Sequence, residues 1–169
     1  MITTDAVQLF SALLAGVALV LAAIAVVPAG RRVLAPVALW LAFGVAAYAT
    51  AGSLYFSEVA NYKPCVLCWY QRIGMYPLAV VLLVGALRRD VNARYYAVPL
   101  AAVALPISIY HYAIERVPSL ESGACDPTNP CSLIWFEEFG FVTLPLMAAV
   151  GFVTVIVLTL IARPQGEPS

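Results

Sequence analysis

Charge is scarce in this chain. Of 169 residues, nine are Lys or Arg and nine are Asp or Glu, so the formal net charge is zero. No overall basic field points to nucleic acid. Histidine occurs once, as His111. Internal repeats and low-complexity linkers are lacking, and no polar stretch is long enough to build a soluble domain. No Lys or Arg precedes Arg31, and Asp5 sits where a cleaved signal peptide usually carries its basic start. The Arg31-Arg32 pair behind the first apolar run would also resist export. That run therefore reads as a retained helix with its N-terminus outside the cell.

What the chain has is apolar length. It is 63% hydrophobic. Five runs, at residues 6–27, 37–56, 64–87, 96–114 and 139–162, are each long enough to span about 30 Å of hydrocarbon at about 1.5 Å per helical residue. The expected fold is all-α: an integral membrane helical bundle with a four-helix core over residues 37–162. Residues 1–36 would add an extra N-terminal transmembrane helix and a cytoplasmic turn, and residues 163–169 a cytoplasmic tail. Arg31, Arg32, Arg88, Arg89, Arg94 and Arg163 follow the first, third and fifth runs. By the positive-inside rule they face the cytoplasm, which leaves both cysteine-bearing segments on the extracytoplasmic side. Gly44, Ala47, Ala51 and Gly52 offer small positions for helix packing. Pro99, Pro106 and Pro145 are expected to kink their helices.

The stretch "KPCVLCWYQR", residues 63–72, places a dithiol at the edge of a span. The uninterrupted apolar part, residues 73–87, covers only about 22 Å, so the helix must continue outward through Arg72 and Cys68. Counted from Arg88, Arg72 lies about 24 Å up and Cys68 about 30 Å up, at the outer hydrocarbon boundary. An arginine at that depth either snorkels to the headgroups or marks a functional site. Cys68 and Arg72 are four apart, on one helical face, so the guanidinium can stabilise a thiolate or a bound anionic group. Pro64 suits a first helical position, which would put Cys65 near the positive end of the helix dipole.

The second pair, "CDPTNPC", spans Cys125 to Cys131 in a turn-rich loop. Its disulfide would close a seven-residue ring worth about 2.4 kcal/mol before strain. That value fits an exchangeable bond, and a structural staple is the alternative. Zinc is disfavoured by the Cys-x5-Cys spacing and by an outward-facing, oxidising compartment, so no metal is expected. His111 lies about 26 Å above the inner boundary, the depth of Arg72, where imidazole either hydrogen-bonds the interface or carries protons. "SLIWFEEF", residues 132–139, reads as an interfacial anchor, or else as a lip that holds a partner.

These residues together resemble the DsbB family of bacterial disulfide-bond formation proteins, especially its short BdbC-like branch. The resemblance rests on "CVLCWYQR", "YHYAIERVP", "CDPTNPC" and "WFEEFGFVTLP", in that order. Vitamin-K-epoxide-reductase relatives carry the two pairs in the reverse order. The resemblance implies a membrane enzyme that reoxidises a DsbA-like thioredoxin-fold dithiol protein and passes electrons to a membrane quinone, ubiquinone or menaquinone. It implies that Cys125 forms the mixed disulfide with that partner and that Cys131 is its mate. Cys65 would then exchange with the loop pair, Cys68 would face the quinone, and Arg72 and His111 would lie at the quinone site. The family core has four spans, so the run at 6–27 is additional.

Chemistry agrees with this placement. A quinone is lipid-soluble and a thioredoxin-fold protein is not, so a relay between them ends at the membrane edge, and thiol–disulfide exchange moves electrons there without charge crossing the bilayer. A transmembrane reductant conduit would need cysteines near the inner boundary, where there are none. A scaffold holding two structural disulfides would have no use for Arg72 inside the span.

Overall fold

The computed structural model describes residues 27–163 apart from 122 and 124, together with scattered positions between 8 and 24. The helix expected over residues 6–27 lies outside the continuously described part. Among the described residues the protein is helical throughout, with only two isolated β-bridges in its loops. Where a plain turn was expected after the first run, Pro28–Leu34 forms a short helix, α1, with proline in its first turn. The four long helices follow as α2 (Ala38–Glu58), α3 (Val66–Arg88), α4 (Arg94–Arg116) and α5 (Leu144–Ile161). Each is long and apolar enough to cross a membrane, which makes this a membrane protein with four candidate spans.

The four helices form a ring. α2 packs on α3 and α5, and α4 packs on the same two, with little contact between α3 and α5 across the centre. Small residues at helical spacing let the axes approach: Ala38, Ala42 and Ala46 on α2, and Ala97, Ala101 and Ala104 on α4, are all buried. Leu78 and Leu82 of α3 and Phe152, Val155 and Leu158 of α5 fill the space between them. The small face expected on α2 is only partly right. Gly52 is buried, but Gly44 and Ala51 are exposed, because the Ala38–Ala42–Ala46 stripe takes the inward face.

Prolines divide by position. α4 runs on through Pro99 and Pro106, and α3 through Pro77, all on outward faces where they displace no core contact. Pro145 is not a mid-span residue. α5 begins only at Leu144, so Pro145 sits in its first turn, where a missing N–H costs no helical hydrogen bond. Residues 139–143, expected to be helical, instead make a tight reversal: Phe139 and Gly140 have φ of 54° and 76°, and Glu138 pairs with Val142.

Gly74 lies at a close approach between α3 and α4. A Cβ there would lie 2.5 Å from Ala104 Cβ and 3.4 Å from the Phe152 ring. Gly74→Ala is therefore expected to push the two helices apart and destabilise the bundle by about 1–3 kcal/mol, read as an earlier unfolding transition in detergent.

The ring has chemically distinct ends. One gathers Arg31, Arg32, Arg88, Arg89, Arg94 and Arg163, and it is tied where the Arg163 amide donates to the Ala35 carbonyl at 3.4 Å. The other end carries all four cysteines.

Candidate active site

α3 starts two residues later than its proline suggests. Pro64 precedes the helix, Cys65 is the N-cap, and its Sγ accepts from the Cys68 amide at 3.4 Å. The cap brings the two sulfurs of the Cys-x-x-Cys turn to 3.2 Å while both remain free thiols. Cys65 is buried, and Cys68 is partly exposed. The hydrogen bond shared with Cys68, and then the one with His111, outweigh burial and hold the Cys65 thiol well below its ordinary value.

Cys125 and Cys131 form a disulfide with Cα atoms 5.9 Å apart. The intervening turn is built by Asp126, which accepts from the amide and hydroxyl of Thr128, each at 2.8 Å. Those bonds hold the Asp126 carboxyl below its usual range. Asn129 closes the turn and reaches across to donate to the Pro64 carbonyl at 3.2 Å. The loop pair is thereby pinned against the Cys-x-x-Cys pair, and Cys65, Cys125 and Cys131 share one buried cluster with Leu67 and Ile114. With two sulfurs committed to that bond, Cys65, Cys68 and His111 are the nearest approach to a metal-ligand set at the dithiol.

Arg72 lies one turn below Cys68. Its Nε donates to Ser53 Oγ and its Nη2 to the Ser53 carbonyl, both at 3.0 Å, and Tyr76 also bonds Ser53 Oγ at 3.3 Å. The guanidinium lies 5.1 Å from the centroid of the Trp69 ring. Arg72 and Cys68 share the wall of a half-open cavity of about 100 Å³, otherwise mostly apolar, with Phe56, Met75, Trp135 and Phe152. The segment read as an anchor or lip closes its outer side: Trp135 stacks on Tyr62 at 4.9 Å, and Tyr62 stacks on Phe56 at 5.9 Å.

His111 is not in that wall. It is buried behind Cys65, with Nε2 3.6 Å from Cys65 Sγ and 3.1 Å from the Cys131 carbonyl, and Nδ1 3.1 Å from Gln71 Nε2. The structure thus groups Cys68 with Arg72 in the cavity wall and Cys65 with His111 behind it, the two sulfurs 3.2 Å apart between the groups. Gln71, Ser53 and the buried Glu115, which accepts from Thr143, were not singled out from the sequence. A polar residue inside an apolar span was the available signal for Ser53 and Gln71.

A ring of four candidate membrane-spanning helices with a dithiol at the end of one of them, held against a loop disulfide, defines a thiol–disulfide oxidoreductase of the membrane. Comparison with known proteins narrows the class. The family model described as disulfide bond formation protein DsbB matches residues 31–162. The chain is 42% identical over 133 residues to the probable disulfide formation protein C 1 of Bacillus cereus, covering 78% of this chain and 96% of the relative. It is 39% identical over 132 residues to the disulfide bond formation protein C of Bacillus subtilis, covering 78% and 94%. It is also 46% identical over 113 residues to the SPbeta prophage-derived disulfide bond formation protein B of Bacillus subtilis, covering 66% and 76%. No solved structure matches. The chain belongs to the DsbB family, the oxidoreductases that generate disulfide bonds.

Proposed function

We propose that the protein is a thiol:quinone oxidoreductase of the bacterial cell membrane that reoxidises an extracytoplasmic, DsbA-like thioredoxin-fold protein. The carrying observation is the division of the Cys-x-x-Cys turn: Cys65 faces the loop disulfide, and Cys68 faces a lipid-depth cavity with Arg72. Electrons would enter at Cys125–Cys131, pass to Cys65–Cys68, and leave through the cavity. In this scheme residues 37–162 form the catalytic core, residues 1–36 add an N-terminal helix and a cytoplasmic turn, and residues 163–169 are a cytoplasmic tail. The N-terminus and both cysteine pairs lie outside.

The cavity suits a quinone ring. Phe56, Met75, Trp135 and Phe152 supply flat and deformable apolar surface, and Arg72, with Lys63 also in the wall, supplies positive charge. When bound, a quinone supplies a two-electron acceptor that is soluble in lipid. Arg72, held by Ser53, stabilises negative charge arriving in the cavity. Trp135 and Tyr62 cover the outer side and limit water there.

The direct test supplies purified protein with a reduced thioredoxin-fold dithiol protein and a quinone analogue. Loss of quinone absorbance together with partner oxidation supports the reading, and loss of neither rejects it. For topology, impermeant thiol reagents added to intact cells after reduction should label all four cysteines from outside. Neutralising Arg31, Arg32, Arg88 and Arg89 together should weaken or invert that orientation.

A further inference from the structure

His111 is buried, and each ring nitrogen has an assigned neighbour. Gln71 Nε2, an amide nitrogen, can only donate, so Nδ1 must be the acceptor. The Cys131 carbonyl can only accept, so Nε2 must carry the hydrogen. With the Gln71 amide nitrogen toward the ring, the two partners select the neutral imidazole protonated at Nε2; with that amide turned over, Oε1 would accept from Nδ1 and the ring would be an imidazolium. The Nε2–H lies between Cys131 O at 3.1 Å and Cys65 Sγ at 3.6 Å, touching both cysteine pairs at once.

We propose that His111 acts as a neutral hydrogen-bond donor to Cys65 in the exchange between the two cysteine pairs, with Gln71 as the positioning residue that fixes its tautomer. The proposal rests on the relay read above and assigns His111 to the inter-pair step rather than to the quinone cavity. In that step one loop sulfur is bonded to Cys65, and the other loop cysteine attacks it as a thiolate. The Cys125–Cys131 bond forms, the bond to Cys65 breaks, and its electron pair leaves on Cys65. One thiolate replaces another, so charge balances and no proton needs to move. The Nε2–H then turns to the new Cys65 thiolate. While Cys65 is bonded to another sulfur it carries no charge, and the same N–H rests on the Cys131 carbonyl, keeping the loop pair in reach. A group protonated at Nε2 cannot remove a proton from Cys65, so the role is charge stabilisation and alignment rather than general-base catalysis.

Several other groups bear on this site. On α3 they are the Cys68 thiol and, one turn further, Arg72. On α4 Glu115 lies one turn from His111, is bonded by Thr143 from the segment before α5, and has Arg116 beside it. The facing loop contributes the uncharged disulfide, the Cys131 carbonyl and the Glu121 carboxylate, which lies beside the two disulfide sulfurs. An imidazolium favoured by Glu115 and Glu121 is therefore the rival species. Variants separate the two.

The test is the pH profile of Cys65 alkylation in the full-length protein with the loop disulfide intact. Cys65 and Cys68 are resolved by peptide mass mapping, without quinone or partner. His111→Leu is expected to move the Cys65 midpoint up by about one pH unit or more and to slow inter-pair exchange about tenfold. His111→Gln retains an uncharged donor and should keep the midpoint within a few tenths of a unit of the parent. Gln71→Leu releases the tautomer and should raise the midpoint, and Gln71→Glu, which favours a doubly protonated ring, should lower it. Equal behaviour of His111→Gln and His111→Leu overturns the neutral-donor assignment in favour of the cation. An unchanged midpoint in both His111→Leu and Gln71→Leu overturns the proposal outright. The same upward shift in all four variants would mean a merely structural role and would overturn it as well. Because no quinone enters these measurements, their failure leaves the quinone assay standing, and failure of that assay leaves this profile intact.

Discussion

Arg72→Met is expected to lower quinone-dependent turnover about 100-fold while leaving the bundle folded. Removing one preorganised donor from a water-poor site costs about 10²–10³ in rate where that donor faces developing charge. Arg72 is such a donor: Ser53 fixes its Nε and Nη2 at 3.0 Å each, and it shares a cavity wall with Cys68. Arg72→Lys keeps the charge but loses the planar fork, and an ammonium cannot span the Ser53 hydroxyl and carbonyl in the same way. Its turnover should fall well below that of the parent, with a raised apparent Michaelis constant for quinone. Ser53→Ala tests the clamp itself and should give a smaller loss of the same kind, since the charge remains and only its aim is relaxed. If Arg72 only snorkels to headgroups, all three proteins turn over alike. Thermal unfolding in detergent serves as the control, because replacing a partly buried cation by an apolar side chain of similar length need not cost stability.

The sequence made the four core helices legible because apolar length and flanking arginines are one-dimensional signals. The spans expected at 37–56, 64–87 and 96–114 became Ala38–Glu58, Val66–Arg88 and Arg94–Arg116, shifted by a few residues at most. The last helix was drawn too long because Phe139, Phe141 and Val142 are apolar for another reason. They belong to a reversal with two positive φ values, and Val142 is buried under it while Phe139 and Phe141 are exposed. Which face of α2 points inward was not legible either, since glycines and alanines run all around that helix and only contact with α3 and α5 selects among them.

Within the site, the cysteine pairs and Arg72 could be picked out from local spacing. Depth counting put Arg72 and His111 at one level, and His111 does bond the neighbour of Arg72 in sequence, Gln71. Depth carries no azimuth, however. His111 reaches from α4 toward Cys65, whereas Arg72 leaves α3 toward Ser53 and the cavity. The Gln71–His111, Asn129–Pro64 and Thr143–Glu115 bonds join residues 40, 65 and 28 positions apart. Pairings of that kind come from the packing of the ring and leave no spacing signature.

The loop cysteines should separate the two halves of the relay. Cys131 is 1% exposed and lies under the His111 contact, whereas Cys125 is 8% exposed. An incoming partner thiolate therefore has better access to Cys125, and attack there leaves Cys131 as the departing thiolate beside Cys65. Either Cys125→Ser or Cys131→Ser removes the disulfide, so partner oxidation should fall to background in both, a loss of at least about 1,000-fold against an exchange that depends on that bond. Quinone reduction by a small dithiol, which reaches Cys65–Cys68 without the loop, should stay within about twofold of the parent. The two variants then diverge. Incubated with oxidised partner, Cys131→Ser should accumulate a covalent adduct through Cys125, since the Cys125 thiolate opens the partner's disulfide and no second loop thiol remains to resolve the product. Cys125→Ser should not, because its remaining sulfur is enclosed. If the pair is only a staple, both substitutions lower stability by about 2.4 kcal/mol, neither traps the partner, and the two half-reactions fall together or not at all. Loss of both half-reactions in every variant would exclude an ordered relay through the loop.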